Sequence, residues 1–110
     1  MILAEWSIEV PENLLEDLFR FAKETLKPFY LSFGCKNHAM FVPVEKKYFS
    51  YQMVLKKTRV IEQLTFNNIA DFEEFLKKVQ ENPDAREITK SYEEKFHAKF
   101  PIFRILMQKV

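Results

Sequence analysis

Cys35 and His38 stand three residues apart, with Asn37 between them, in a stretch that reads as a turn. A thiol becomes a nucleophile when a base raises its thiolate fraction, so this is the one pairing in the chain with the ingredients of covalent catalysis. A working nucleophile also needs a group that orients the base and donors that hold an oxyanion. Only Asn37 is close enough to offer either, and a small apolar cysteine beside a turn histidine fits better. The same two residues with His97 and a carboxylate would make a mixed metal site, but zinc takes such ligands in closely spaced pairs and there is no second pair. His97 instead suits an exposed helical position, one turn after Glu93. No catalytic residue, metal ligand or cofactor is assigned on these grounds, and the chain is not expected to be an enzyme.

Phosphate chemistry has even less to stand on. With one glycine in 110 residues, neither a dinucleotide fingerprint nor a P-loop can be built. The clearest local asymmetry is basic: Lys46, Lys47, Lys56, Lys57 and Arg59 fall within residues 46–61, where no acidic residue occurs. In a hairpin these charges would gather at the two ends, with Tyr48 and Gln52 on the outward face between them. Aromatics that stack on bases, flanked by cations that meet phosphates, are what a sheet needs to bind single-stranded nucleic acid. Lysines also protect hairpin tips from edge association, and no RNP-type motif is present, so nucleic acid stands as the second reading.

The elements that must position these residues can be read from periodicity. Residues 29–34, 39–43, 48–56 and 60–66 read as consecutive strands, too closely spaced for a crossover helix and therefore an antiparallel meander. Ahead of them Ile2, Ala4, Trp6, Ile8 and Val10 alternate with Leu3, Glu5, Ser7 and Glu9, a strand with one buried face. Pro11 opens a first helix carrying Leu15, Leu18, Phe19, Ala22 and Leu26, expected to end before Pro28. The single Gly34 is placed where a positive φ is needed, in a hairpin turn. Glu62 shares a face with Val60, Leu64 and Phe66, where a carboxylate cannot be deeply buried without a partner. Asn67 and Asn68 precede a second amphipathic helix, Asp84 starts a third that Pro101 closes, and residues 102–107 form a last strand. The expected fold is α+β: a single antiparallel sheet of five to six strands, in the order β-α-β-β-β-β-α-α-β, with three helices packed mainly on one face. One domain accounts for the whole length.

Composition narrows the partners. Seventeen basic and sixteen acidic residues give a formal charge of +1, so no overall field draws nucleic acid or an anionic membrane. One cysteine cannot form an internal disulfide, the N-terminal apolar run lacks a basic flank and is broken by Glu5 before it reaches the length of a signal h-region, and no stretch has the length of a membrane span, so a cytoplasmic location is expected. Leu3, Phe21, Tyr30, Phe41, Val54 and Phe103 lie on faces opposite to those assigned to the core. A contiguous patch of such residues would mark an interface. The first reading is therefore a binding or regulatory module that meets a protein partner, or a second copy of itself, through an outer sheet face or an edge strand.

Overall fold

The alternating N-terminal segment becomes the strand on which the sheet is built. In the computed structural model, which describes residues 1–110, strand β1 (Ile2–Glu9) pairs antiparallel with β3 (Arg59–Phe66) on one side and with β4 (Lys99–Met107) on the other. A short strand β2 (Asn37–Phe41) pairs antiparallel with the far side of β3, giving the order β2-β3-β1-β4. The sheet has four strands, not five to six. Three helices lie against one face: α1, which runs through Leu15–Phe21, Ala22–Leu26 and Lys27–Ser32 after a 3₁₀ turn at Glu12–Leu14, then α2 (Ile69–Glu81) and α3 (Pro83–Phe96). With α2 and α3 counted as one crossover, this is the β-α-β-β-α-β arrangement of ferredoxin-like folds. No helix is long and apolar enough to cross a membrane.

Two expected strands are absent, each for a local reason. Residues 29–34 are helical because α1 does not stop at Pro28. The preceding segment, Ala22–Leu26, is a π-helical turn, and this change of hydrogen-bond register accommodates a residue that has no N–H to donate. The helix then continues to Ser32 and ends in a Schellman motif: the Cys35 N–H donates to the Tyr30 carbonyl and the Gly34 N–H to that of Leu31. Gly34 does take a positive φ, 104°, but to stop a helix and not to turn a hairpin.

Residues 48–56 form no ladder either. β2 is the edge of the sheet, and beyond Phe41 the chain leaves it as an irregular arm, residues 42–58, before returning as β3. Gln52 organises the tip of the arm: its Oε1 accepts from the Tyr48 N–H at 2.7 Å and its Nε2 donates to the Lys46 carbonyl at 3.0 Å. Phe49 and Tyr51 stack on each other, with ring centroids 5.3 Å apart. At the other end of the chain α3 stops at Phe96, four residues earlier than expected, with His97 in the left-handed region. Pro101 lies inside β4, on the sheet edge where the missing N–H does least harm.

The core lies wholly between the sheet and the helices. Ile2, Ala4, Leu64 and Phe66 meet Phe72 and Phe75 of α2, while Ile8, Val10 and Val60 meet Leu15, Leu18 and Phe96. Asn68 and Asn82 cap α2 and α3 through side-chain oxygens that accept from the Asp71 and Ala85 N–H groups. Between these two clusters the layers do not close, and the gap is the feature of interest.

Candidate functional site

Glu62 is the residue that the apolar pattern of β3 leaves unexplained, and the structure supplies its partner. His38 on β2 places Nε2 2.8 Å from Glu62 Oε2, with both side chains buried. The register puts Met40 beside Glu62 and His38 beside Leu64, so the pair forms diagonally across neighbouring strands on the helix-facing side. Burying a carboxylate costs several kcal/mol unless it is paired and hydrogen-bonded, so a fold that retains this pair must satisfy both members. The pair leaves Glu62 Oε1 uncommitted.

Two tyrosines approach the same carboxylate from the helices. Tyr30, in the last turns of α1, rests against the His38 ring at 5.2 Å and edge-on to Phe75 at 5.8 Å. Tyr92 of α3 packs against Phe21 and Phe96, which also meet each other. Burial pushes both phenols well above their ordinary range, and the nearby Glu62 charge pushes each in the same direction, so both remain protonated donors. The Tyr92 hydroxyl is buried and has no hydrogen-bond partner. Native structures leave few such groups, and one that persists calls for an explanation.

Other atoms of Tyr92 line a cavity of about 540 Å³ between the sheet and helices α2 and α3, from which the hydroxyl itself is shielded. Trp6, Ile8 and Leu64 form its floor, Phe75, Leu76 and Val79 one wall, and Tyr30, Glu62 and Tyr92 its polar contacts; Thr89, Glu93 and Pro101, which are exposed, stand at its mouth. A mostly apolar concavity with a few convergent polar groups is how small-molecule sites are built. No lysine or arginine lines it, and two carboxylates do.

The residues singled out for chemistry in the sequence are placed differently. Cys35 is buried, its Sγ donating to the Asn37 carbonyl at 2.9 Å, and burial pushes its thiol above the usual range, which lowers its thiolate fraction. His38 turns to Glu62, 24 residues away, and not to Cys35. His97 ends a helix, and no group of three potential metal-ligating side chains exists. Of the basic set, Arg59 is buried and donates to Ser7 Oγ at 2.7 Å, with Glu9 beside it, and Lys57 pairs with Glu12. Gln52 holds the arm together. Lys46, Lys47 and Lys56 remain exposed on the arm with Tyr48, over whose ring the Lys46 ammonium sits at 5.1 Å. Tyr30 and Phe21, expected outside, face the core. The one sequence signal for the cavity was Glu62 on an apolar face; Tyr30 and Tyr92 gave none.

Neither a family model nor a curated protein sequence matches this chain. Solved structures do match its fold. A NIPSNAP domain protein from Burkholderia xenovorans superposes with a TM-score of 0.67 at 4% identity, covering 99% of this chain and 95% of that one. A protein from Deinococcus radiodurans, provisionally described as an antibiotic biosynthesis monooxygenase, gives 0.64 at 6% identity over 100% and 94%. An ethyl tert-butyl ether D family protein from Bacillus halodurans gives 0.61 at 8% identity over 99% and 100%. Identities this low establish a shared fold and transfer no activity. The likeness to the Deinococcus radiodurans protein nevertheless corrects the expectation that the chain is no enzyme. That expectation rested on the absence of short catalytic motifs, and this fold can build a site from residues scattered over separate elements. The chain has the ferredoxin-like fold shared by these small domains, with a cavity between its sheet and its helices.

Proposed function

We propose that the chain binds a small, neutral, mainly apolar molecule in the cavity between the sheet and helices α2 and α3. The observation that carries this reading is the make-up of the cavity, mostly apolar side chains converging on Glu62, Tyr30 and Tyr92. A concavity of that composition fits a small molecule with one polar group. Charge selects against anions: Glu62 and Glu93 line the space and no lysine or arginine opposes them, so a carboxylate or phosphate entering it would meet repulsion in a poorly solvated site. Trp6, the only tryptophan, forms part of the floor and reports occupancy directly. Titrating 2-naphthol should change Trp6 fluorescence saturably with one site per chain, and Leu76→Phe, which fills the wall, should weaken the effect at least tenfold. A change that grows linearly with concentration, or that survives Leu76→Phe unaltered, counts against the site.

A second reading concerns the other face of the sheet, and it too has a specific observation behind it. Leu3, Ile61, Ile102 and Leu106 lie on the side that no helix covers, and every residue of β4 is exposed, including Phe103, Ile105 and Met107 on the helix side. The arm carries Tyr51 and Met53 at 84% and 81% exposure. The accessible surface, 7589 Å², exceeds the roughly 6,450 Å² typical of a monomer of this mass. The arm leaves from the β2 edge and β4 is the opposite edge, so a two-fold pairing of copies, sheet face to sheet face, would cover both patches twice and close. The protein partner we propose is thus a second copy of the chain.

A further inference from the structure

We propose that the cavity is an enolising site: Glu62 takes a proton from carbon next to the carbonyl of a neutral apolar ketone, and the Tyr30 hydroxyl holds the resulting enolate oxygen. The proposal rests on the cavity being a ligand site. A cation would leave the Tyr30 hydroxyl at the cavity without an acceptor, and a plain hydrocarbon would do the same; a carbonyl oxygen supplies one. Glu62 is the acceptor lining the same space, with Oε2 occupied by His38 Nε2 and Oε1 uncommitted. A phenol kept protonated by burial and by the Glu62 charge donates at neutral pH and gains strength as charge develops on the bound oxygen. A carboxylate base with a hydroxyl donor in an apolar pocket is an established way to stabilise an enolate.

The step balances without a redox partner. The C–H bond breaks and its proton passes to Glu62 Oε1; the electron pair becomes a carbon–carbon double bond, and the carbonyl π pair moves to oxygen. Exposed Thr89, Glu93 and Pro101 at the mouth admit water, through which the proton on Glu62 exchanges before it returns to carbon. His38 is a positioning residue, touching Glu62 and not the cavity contents.

The test is NMR of 2-tetralone, a bicyclic apolar ketone, incubated with the protein in D2O, with binding followed in parallel by Trp6 fluorescence. The expected result is saturable loss of the α-proton signal well above buffer. Glu62→Gln, which keeps an oxygen to accept from His38, should slow exchange by on the order of 10²-fold while the ketone still binds. Tyr30→Phe should cost on the order of 10²-fold as well. His38→Gln, which retains a donor, should keep more exchange than His38→Leu at equal affinity. Binding without exchange, or exchange unchanged in Glu62→Gln or, should that variant not fold, in Tyr30→Phe, overturns the enolising proposal and leaves the ligand site standing. Failure of 2-tetralone to bind while 2-naphthol binds overturns the proposal alone; failure of both removes the ligand site too.

Discussion

At the scale of single residues a buried polar pair, His38 and Glu62, ties β2 to β3, and its chemistry can be separated by substitution. Removing His38 alone strands the Glu62 carboxylate in an apolar layer, so His38→Leu should destabilise the fold by about 3 kcal/mol or more. The double variant His38→Leu/Glu62→Leu should recover most of that loss, because two apolar groups leave no charge unpaired. Urea unfolding of the two variants decides this; a double variant as unstable as the single one contradicts it. The buried acids set the alkaline limit. Cys35, Tyr30 and Tyr92 are all pushed above the ordinary values of 9.0 for the thiol and 10.0 for the phenols. The folded state therefore holds protons that the unfolded chain releases above those values, so stability is fully present below about pH 9 and falls as pH rises beyond it. Thermal midpoints measured between pH 7 and 11 should stay level and then drop, with the onset moved toward pH 10 in Cys35→Ala. A midpoint that rises above pH 9 contradicts the assignment. Glu62 was legible in the sequence as an anomaly, a carboxylate among Val60, Leu64 and Phe66. Its partner was not, because the pairing of β2 with β3 is a long-range fact that spacing does not encode. Cys35 and His38 drew attention as sequence neighbours and point apart in the fold.

At the scale of elements, alternation and capping were legible and aromatic-rich segments were not. β1, β3 and the two later helices stand close to where periodicity and the Asn68 cap place them. Residues 29–34 alternate like a strand, yet Phe29 and Phe33 meet one helical turn apart, ring centroids 4.8 Å apart and tilted by 59°, since the π turn lets α1 continue through Pro28. Residues 48–56 alternate as well, but no strand is available beside them, and Gln52 satisfies the backbone in place of a ladder. Aromatic and β-branched preference describes fit to a sheet, and with no strand alongside it decides little. Removing the α2 cap in Asn68→Ala should cost about 1 kcal/mol in denaturant unfolding. An effect below a few tenths would show that the cap contributes little.

At the scale of the whole molecule the chain is a thin slab, 45 × 37 × 21 Å, with a radius of gyration of 14.8 Å against about 13 Å for a compact domain of this length. A layer of helices on one side and an uncovered sheet on the other was legible from the amphipathic stripes; the arm and the cavity were not, because each depends on where the helices end. The uncovered side predicts self-association: sedimentation at micromolar concentration should give about twice the chain mass of 13.3 kDa, and Ile102→Glu/Leu106→Glu should return it to one. A monomer at 100 micromolar contradicts the two-fold pairing and leaves the cavity untouched. The cavity is tested most directly by crystallising the protein with 2-naphthol. A single molecule between Trp6 and Leu76, its hydroxyl within hydrogen-bond distance of Glu62 Oε1, is the predicted result. A space filled by side chains, or the compound held only on the outer sheet face, would contradict it.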